Sequence, residues 1–103
     1  EYNIMMNMMQ VMQQAQKMKK DMEKKQQEIE SSTYEGHSEF VDVVVYGTKK
    51  IKSIKINQKS LDEEDIEILE DMIKIAMNDA LSKVDKDTED KMGVYAKQFG
   101  GLM

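Results

Sequence analysis

The chain has 103 residues, 40% hydrophobic and 34% charged, which suits one small domain that leaves part of its apolar surface uncovered. It contains no cysteine, proline or tryptophan and a single histidine, so disulfides, thiolate zinc sites and cysteine–histidine pairs lack their materials. The net charge of −5 weighs mildly against a polyanionic partner, but the acid is concentrated: residues 62–103 hold twelve acids against five lysines, whereas residues 34–61 hold five lysines against three acids.

The first element is "MMNMMQVMQQAQKMKKDMEKKQQEIE", residues 5–30, which carries seven of the eleven methionines. Met8, Ala15, Met22 and Ile29 recur every seven residues, and Ile4, Val11 and Met18 precede the next member by four. This a/d heptad predicts a helix over about residues 3–30, with Lys25 as the one polar intrusion in its seam. Met5 and Met12 widen the stripe, while Met6 and Met9 fall off it and leave the N-terminal end apolar nearly all round. Thioethers can bind Cu(I), but copper sites commonly add His or Cys, and these methionines keep helical register. Packing is therefore the better reading, with an adaptable apolar binding surface as the alternative. No metal site and no cofactor are expected. Lys17, Lys20 and Lys24 line another strip of the same helix, with Lys19 and Lys25 beside it.

The next stretch changes character. "FVDVVVYG" is β-branched and aromatic, with Val41, Val43 and Val45 on one face and Phe40, Val44 and Tyr46 on the other. A turn at residues 47–50 leads into "IKSIKIN", so the two runs predict an antiparallel hairpin. "STYEG" is a candidate third strand. Apolar residues on both faces predict a sheet covered, at least in part, on both sides.

The third element opens on Ser60 and Glu63, the spacing of a capping box, with acids suited to a helix N-terminus. Ile66, Leu69, Ile73, Met77, Ala80 and Val84 then recur at helical steps, continuing through Thr88, Met92, Tyr95 and Phe99. A helix over about residues 63–98 is predicted, stopped by Gly100 and Gly101. Residues 1–103 thus form a single α+β domain: a long N-terminal helix, a two- to three-stranded antiparallel sheet and a long C-terminal helix. Two helices of about 40 to 50 Å at 1.5 Å per residue outrun a small sheet. Their projecting stripes call for self-association. The expected homodimer interface comprises Met8, Val11, Ala15, Met18, Met22, Val43 and Val45.

No catalytic constellation emerges, and the protein reads as a non-enzyme with no small-molecule substrate. His37 reads as a solvated loop residue, and the acids of "LDEEDIEILED" as a solvated helix face. No apolar run is long enough to span a membrane, and the sequence reads as that of a cytoplasmic protein. All fifteen basic residues are lysine, which favours loose phosphate contact over bidentate base reading. Lys17, Lys19, Lys20, Lys24 and Lys25 on the first helix, with Lys49, Lys50 and Lys52 at the hairpin, are the candidate contacts. No aromatic stacking platform accompanies them.

Taken in order, "MMQVMQQAQKMKKDMEKKQQEIE", "FVDVVVYG", "IKSIKIN" and "LDEEDIEILEDMIKIAMNDALSKV" resemble the YbaB/EbfC family of bacterial nucleoid-associated proteins. The Met/Gln-rich opening and "LEDMIKIAMNDAL", residues 69–81, carry most of the likeness. The resemblance implies a tweezer-like homodimer that binds double-stranded DNA with weak sequence preference and associates with the nucleoid. The family is often glycine-rich before its main strand, where this chain has Gly36-His37-Ser38-Glu39. The competing reading is a dimeric adaptor or chaperone-like protein that grips apolar segments through the Met-rich helix.

Overall fold

The computed structural model describes residues 2–100, in the order helix, three strands, helix. The first helix, α1, spans Tyr2–Ser31, one residue beyond the expected span at each end. "STYEG" does form a strand: β1 covers Thr33–His37, followed by β2 at Val41–Tyr46 and β3 at Ile51–Ile56. The second helix, α2, runs over Asp65–Gly100; Gly101, the other half of the expected stop, lies outside the described residues.

The start of α2 departs from the Ser60–Glu63 capping box. The Asp65 carboxylate accepts from the Asp62 N–H at 2.9 Å, and the Asp65 N–H donates to the Asp62 carbonyl at 2.9 Å. Half of a capping box therefore sits two residues later, the Asp65 side chain reaching back to the Asp62 N–H, while the return bond is a backbone turn rather than a side-chain cap. Aspartate caps as well as serine does, so composition alone does not choose between the two positions.

The strands form one antiparallel sheet in the order β1-β2-β3. Alternation along β2 sends Val41, Val43 and Val45 to one face, where α2 covers them through Ala76, Ala80 and Val84, all six at most 1% exposed. Two alanines in succession on the helix let it lie close to the strands, and Gly36 completes the fit. A Cβ on Gly36 would stand 2.0 Å from the Ala76 carbonyl oxygen. Gly47 does the same at the other end of the sheet, where a Cβ would stand 1.8 Å from the Ile29 carbonyl oxygen. The hairpin turn thus abuts the C-terminal end of α1, and Lys49 in that turn takes the left-handed backbone, φ 72°. Val43 and Val45, expected at a dimer interface, are core residues of the single subunit. Their face of the sheet is the one α2 occupies.

Coverage of the sheet on both sides does not hold, since on the face opposite the core Thr33, Glu35, His37, Ser53 and Lys55 are exposed, and even the core face is covered only in part. Helix α2 packs on β1 and β2 but does not reach β3, and every residue of β3 is exposed. Ile51, Ile54 and Ile56 are in register with Val45, Val43 and Val41 and so share the core face. They extend it past the edge of the helix, at 50%, 46% and 40% exposure.

The heptad seam of α1 divides in two. Its C-terminal half packs inside the subunit: Ile29 is buried, Met18 and Met22 are half-buried, and Met18 lines a groove with Tyr95 of α2. Lys25, the polar intrusion, belongs there because its ammonium lies 5.1 Å from the centroid of the Tyr95 ring. Met18 and Met22 therefore serve an intrasubunit contact first. In the N-terminal half every residue from Asn3 to Lys17 is exposed. The molecule measures 79 × 23 × 14 Å with a radius of gyration of 21.4 Å. A compact chain of this length would have about 13 Å.

Candidate functional site

Periodicity sorts the lysines of α1 before any contact is considered. Lys17, Lys20 and Lys24 sit at i, i+3 and i+7, on one face of the helix, and all are exposed. Met18, Met22, Lys25 and Ile29 occupy another side, turned toward the rest of the subunit, and Lys17 sits at the edge between the two, lining the groove with Met18 and Tyr95. Packing of the apolar side thus fixes the direction of the lysine side. Lys17, Lys19, Lys20, Lys24 and Lys50 form no salt bridge among the described residues.

Three of the expected lysines are otherwise engaged. Lys49 pairs with Asp85 of α2 at 3.2 Å, Lys25 lies over Tyr95, and Lys52 stands 6.0 Å from the Tyr46 ring centroid. None of these partners is a near neighbour on the same strand or helix turn, so spacing could not have flagged them. The structure brings the hairpin lysines to the C-terminal end of α1, where Gly47 meets Ile29. That point lies about one and a half turns from Lys24 along the helix.

Two polar nodes hold β1 to the rest of the subunit. His37 is the last residue of β1 rather than a loop residue, and its Nδ1 lies 2.7 Å from Asp42 Oδ1 on β2. Its backbone N–H donates to Asp79 Oδ2 of α2 at 3.0 Å. The ring contact with His37, then a hydrogen bond from Asn57, holds the Asp42 carboxyl below the usual carboxylate range. Asp79 is lowered chiefly by the His37 N–H and further by Lys83. At the other node the Tyr34 hydroxyl donates to Asp87, which also receives Lys91 at 2.9 Å. That hydroxyl, then Lys91, lowers Asp87. Burial, then the hydrogen bond and charge of Asp87, push the Tyr34 phenol up to about 12. Tyr34 and Asp87 carried no sequence signal, because neither lies in a motif and they are 53 residues apart.

These shifts give the fold a defined pH window. Tyr34 is raised, so its contribution is complete below the ordinary tyrosine value of about 10 and is lost as pH rises through about 12. Asp42, Asp79 and Asp87 are lowered, so theirs is complete above the ordinary aspartate value of about 4 and is lost on further acidification. Urea denaturation across pH should show both limbs. Tyr34→Phe should cost about 1 to 2 kcal/mol at neutral pH and flatten the alkaline limb. An unchanged alkaline limb would show that Tyr34 does not titrate this way.

No group of three or more His, Asp or Glu side chains suited to a metal ion occurs among the described residues. Nor is any helix there long and apolar enough to cross a membrane. What the geometry presents is an elongated scaffold with a one-sided lysine strip. Residues 5–99 match the family model described as the YbaB/EbfC DNA-binding family. The chain belongs to that family.

The YbaB/EbfC match extends to full-length relatives. A nucleoid-associated protein of Ligilactobacillus salivarius is 40% identical over 99 residues, covering 94% of this chain and 95% of the relative. One from Lactococcus lactis subsp. cremoris is 45% identical over 95 residues, covering 90% and 96%. One from Streptococcus agalactiae is 48% identical over 94 residues, covering 89% and 95%. For a YbaB/EbfC chain the α+β order seen here is the arrangement the resemblance implied. The single Gly36 stands where the family is often glycine-rich, at the point where β1 touches α2.

Proposed function

We propose that the protein binds double-stranded DNA as a homodimer and associates with the nucleoid, acting without catalysis. Membership of the YbaB/EbfC DNA-binding family is the observation that carries the DNA reading. The binding mode follows from charge. Lys17, Lys20 and Lys24 meet phosphates, with the exposed Lys19 and Lys50 as further candidate contacts. Fifteen lysines and no arginine supply point charges rather than bidentate forks, which favours weak sequence preference. The twelve acids of residues 62–103 would turn the outer side of α2 away from the duplex.

The dimer reading rests on two uncovered apolar surfaces. Ile51, Ile54 and Ile56 continue the core face beyond α2, and Ile4, Met8, Val11 and Ala15 continue the heptad seam beyond the intrasubunit packing. Exposed as they are, a second copy of the same chain is the partner that would cover them symmetrically. Neither surface needs Val43 or Val45.

A duplex titration at two ionic strengths, run beside a solution mass measurement, tests both readings. Affinity should fall steeply between about 50 and 200 mM salt, because lysine–phosphate binding is driven by counterion release. The mass should be twice that of the chain. Absence of binding at low salt would remove the DNA reading, salt-insensitive binding the lysine mechanism, and a monomer mass the dimer. The exposed Met-rich arm of α1 favours one other reading, an adaptor that grips apolar segments. Capture of an apolar peptide by protein that fails to bind duplex would favour it.

A further inference from the structure

Residues 3–17 of α1 are all exposed, and among the described residues only Gln14 and Lys17, at the end of this arm, line a groove with α2, through Tyr95. Its first turn carries no acidic residue to complement the helix N-terminus. A helical segment of this length is marginal in isolation, so its order depends on intrinsic propensity, on neighbouring side-chain pairs and, in the proposed dimer, on the seam of Ile4, Met8, Val11 and Ala15. Methionine supplies both here. It is a strong helix former, and Met5–Met9, Met6–Met9 and Met9–Met12 are apolar pairs at i, i+4 or i, i+3. Met5, Met6, Met9 and Met12 are 65%, 45%, 59% and 61% exposed. Met6 and Met9 point away from the heptad seam, so pairing through it leaves their sulfurs open to solvent; Met5 and Met12 flank it, Met12 on the groove it shares with Ile4, Met8 and Val11.

We propose that Met5, Met6, Met9 and Met12 form an oxidation site through which peroxides disorder the N-terminal arm of α1. In each step the thioether sulfur attacks one peroxide oxygen, the O–O bond breaks, and the S–O bond of a sulfoxide forms. Sulfur is oxidised by two electrons, the peroxide is reduced, and the second oxygen leaves with both protons as water. The sulfoxide is polar and better solvated as a disordered chain, so the apolar pairs that hold the arm are lost together. A thiol-dependent sulfoxide reductase reverses the step, removing the oxygen as water while two thiols become a disulfide. The same chain holds its own controls. Met22 is half-buried, and Met72 and Met77 pack against the core cluster. Its effect on DNA rests on α1 being the duplex-contacting helix; the oxidation chemistry itself does not.

The test treats the full chain with limiting hydrogen peroxide and follows peptide masses, far-UV helical signal and duplex affinity. Met5, Met6, Met9 and Met12 should gain oxygen several-fold faster than Met22, Met72 and Met77. The helical signal should fall by the share of residues 3–17 and return with the reductase. A variant with all four changed to leucine keeps helix propensity and should keep its signal and its duplex affinity through the same treatment. Even oxidation across all the methionines, an intact helical signal after the four are oxidised, or equal signal loss in the leucine variant would each overturn the proposal. Untreated protein that binds no duplex would instead sink the DNA reading, leaving the masses and helical signal to judge the oxidation site.

Discussion

Gly36→Ala is expected to destabilise the subunit by about 3 kcal/mol, the upper end for forcing atoms into a packed interior. The added Cβ would stand 2.0 Å from the Ala76 carbonyl oxygen and 2.5 Å from the Ala80 nitrogen. Both are helix backbone atoms, so no side-chain rotation can clear them. Relief requires β1 and α2 to separate, and their separation opens the cluster of Val41, Val43, Val45, Ala76, Ala80 and Val84. A small domain has about 5 kcal/mol of stability to begin with, so the loss would leave a sizeable unfolded fraction. Urea denaturation reads it as a lower midpoint. Gly93→Ala is the internal control, since its added Cβ meets only Glu89 Cγ at 3.6 Å within α2. That change should stabilise by about 0.5 to 1 kcal/mol through helix propensity. A Gly36→Ala midpoint equal to wild type would mean the strand and helix stand further apart.

How far the sequence could be read depended on whether a feature was local or tertiary. Periods of 3.6 and 2 lie within a stretch of chain, so both helices and the β2–β3 hairpin were legible to within two residues. β1 was fainter because "TYEGH" is short and polar, and its partner α2 lies far along the chain. Alternation showed that β2 has two apolar faces, but not that α2 would cover one of them and stop short of β3. Alternation alone therefore leaves Val43 and Val45 open to a dimer seam, whereas in the fold α2 buries both. The same limit applies to the lysines. Their spacing on α1 marked a strip, yet only the fold shows that Lys25 and Lys49 are already engaged by Tyr95 and Asp85. Conversely, Lys25 looked like a flaw in a heptad and is a packed contact.

Charge reversal of Lys17, Lys20 and Lys24 together should weaken duplex binding at least about a hundredfold at low salt, on every sequence alike. If each lysine contacts one phosphate and both protomers bind, six contacts are removed. The slope of log affinity against log salt should then fall by about five, near 0.9 per contact. The three form no salt bridge among the described residues, so reversal breaks no internal pair and the fold should be kept. All three are exposed, Lys20 and Lys24 on the side away from α2 and Lys17 at the rim of the groove shared with Met18 and Tyr95. Lys49→Gln separates this mechanism from simple dependence on net charge. Its ammonium is 3.2 Å from Asp85, so removing it should change affinity and slope little. A slope that drops equally for Lys49→Gln and for each strip lysine taken singly would point to a diffuse field in place of a phosphate-contacting strip. A triple variant with the wild-type slope would move the contact surface off α1 altogether.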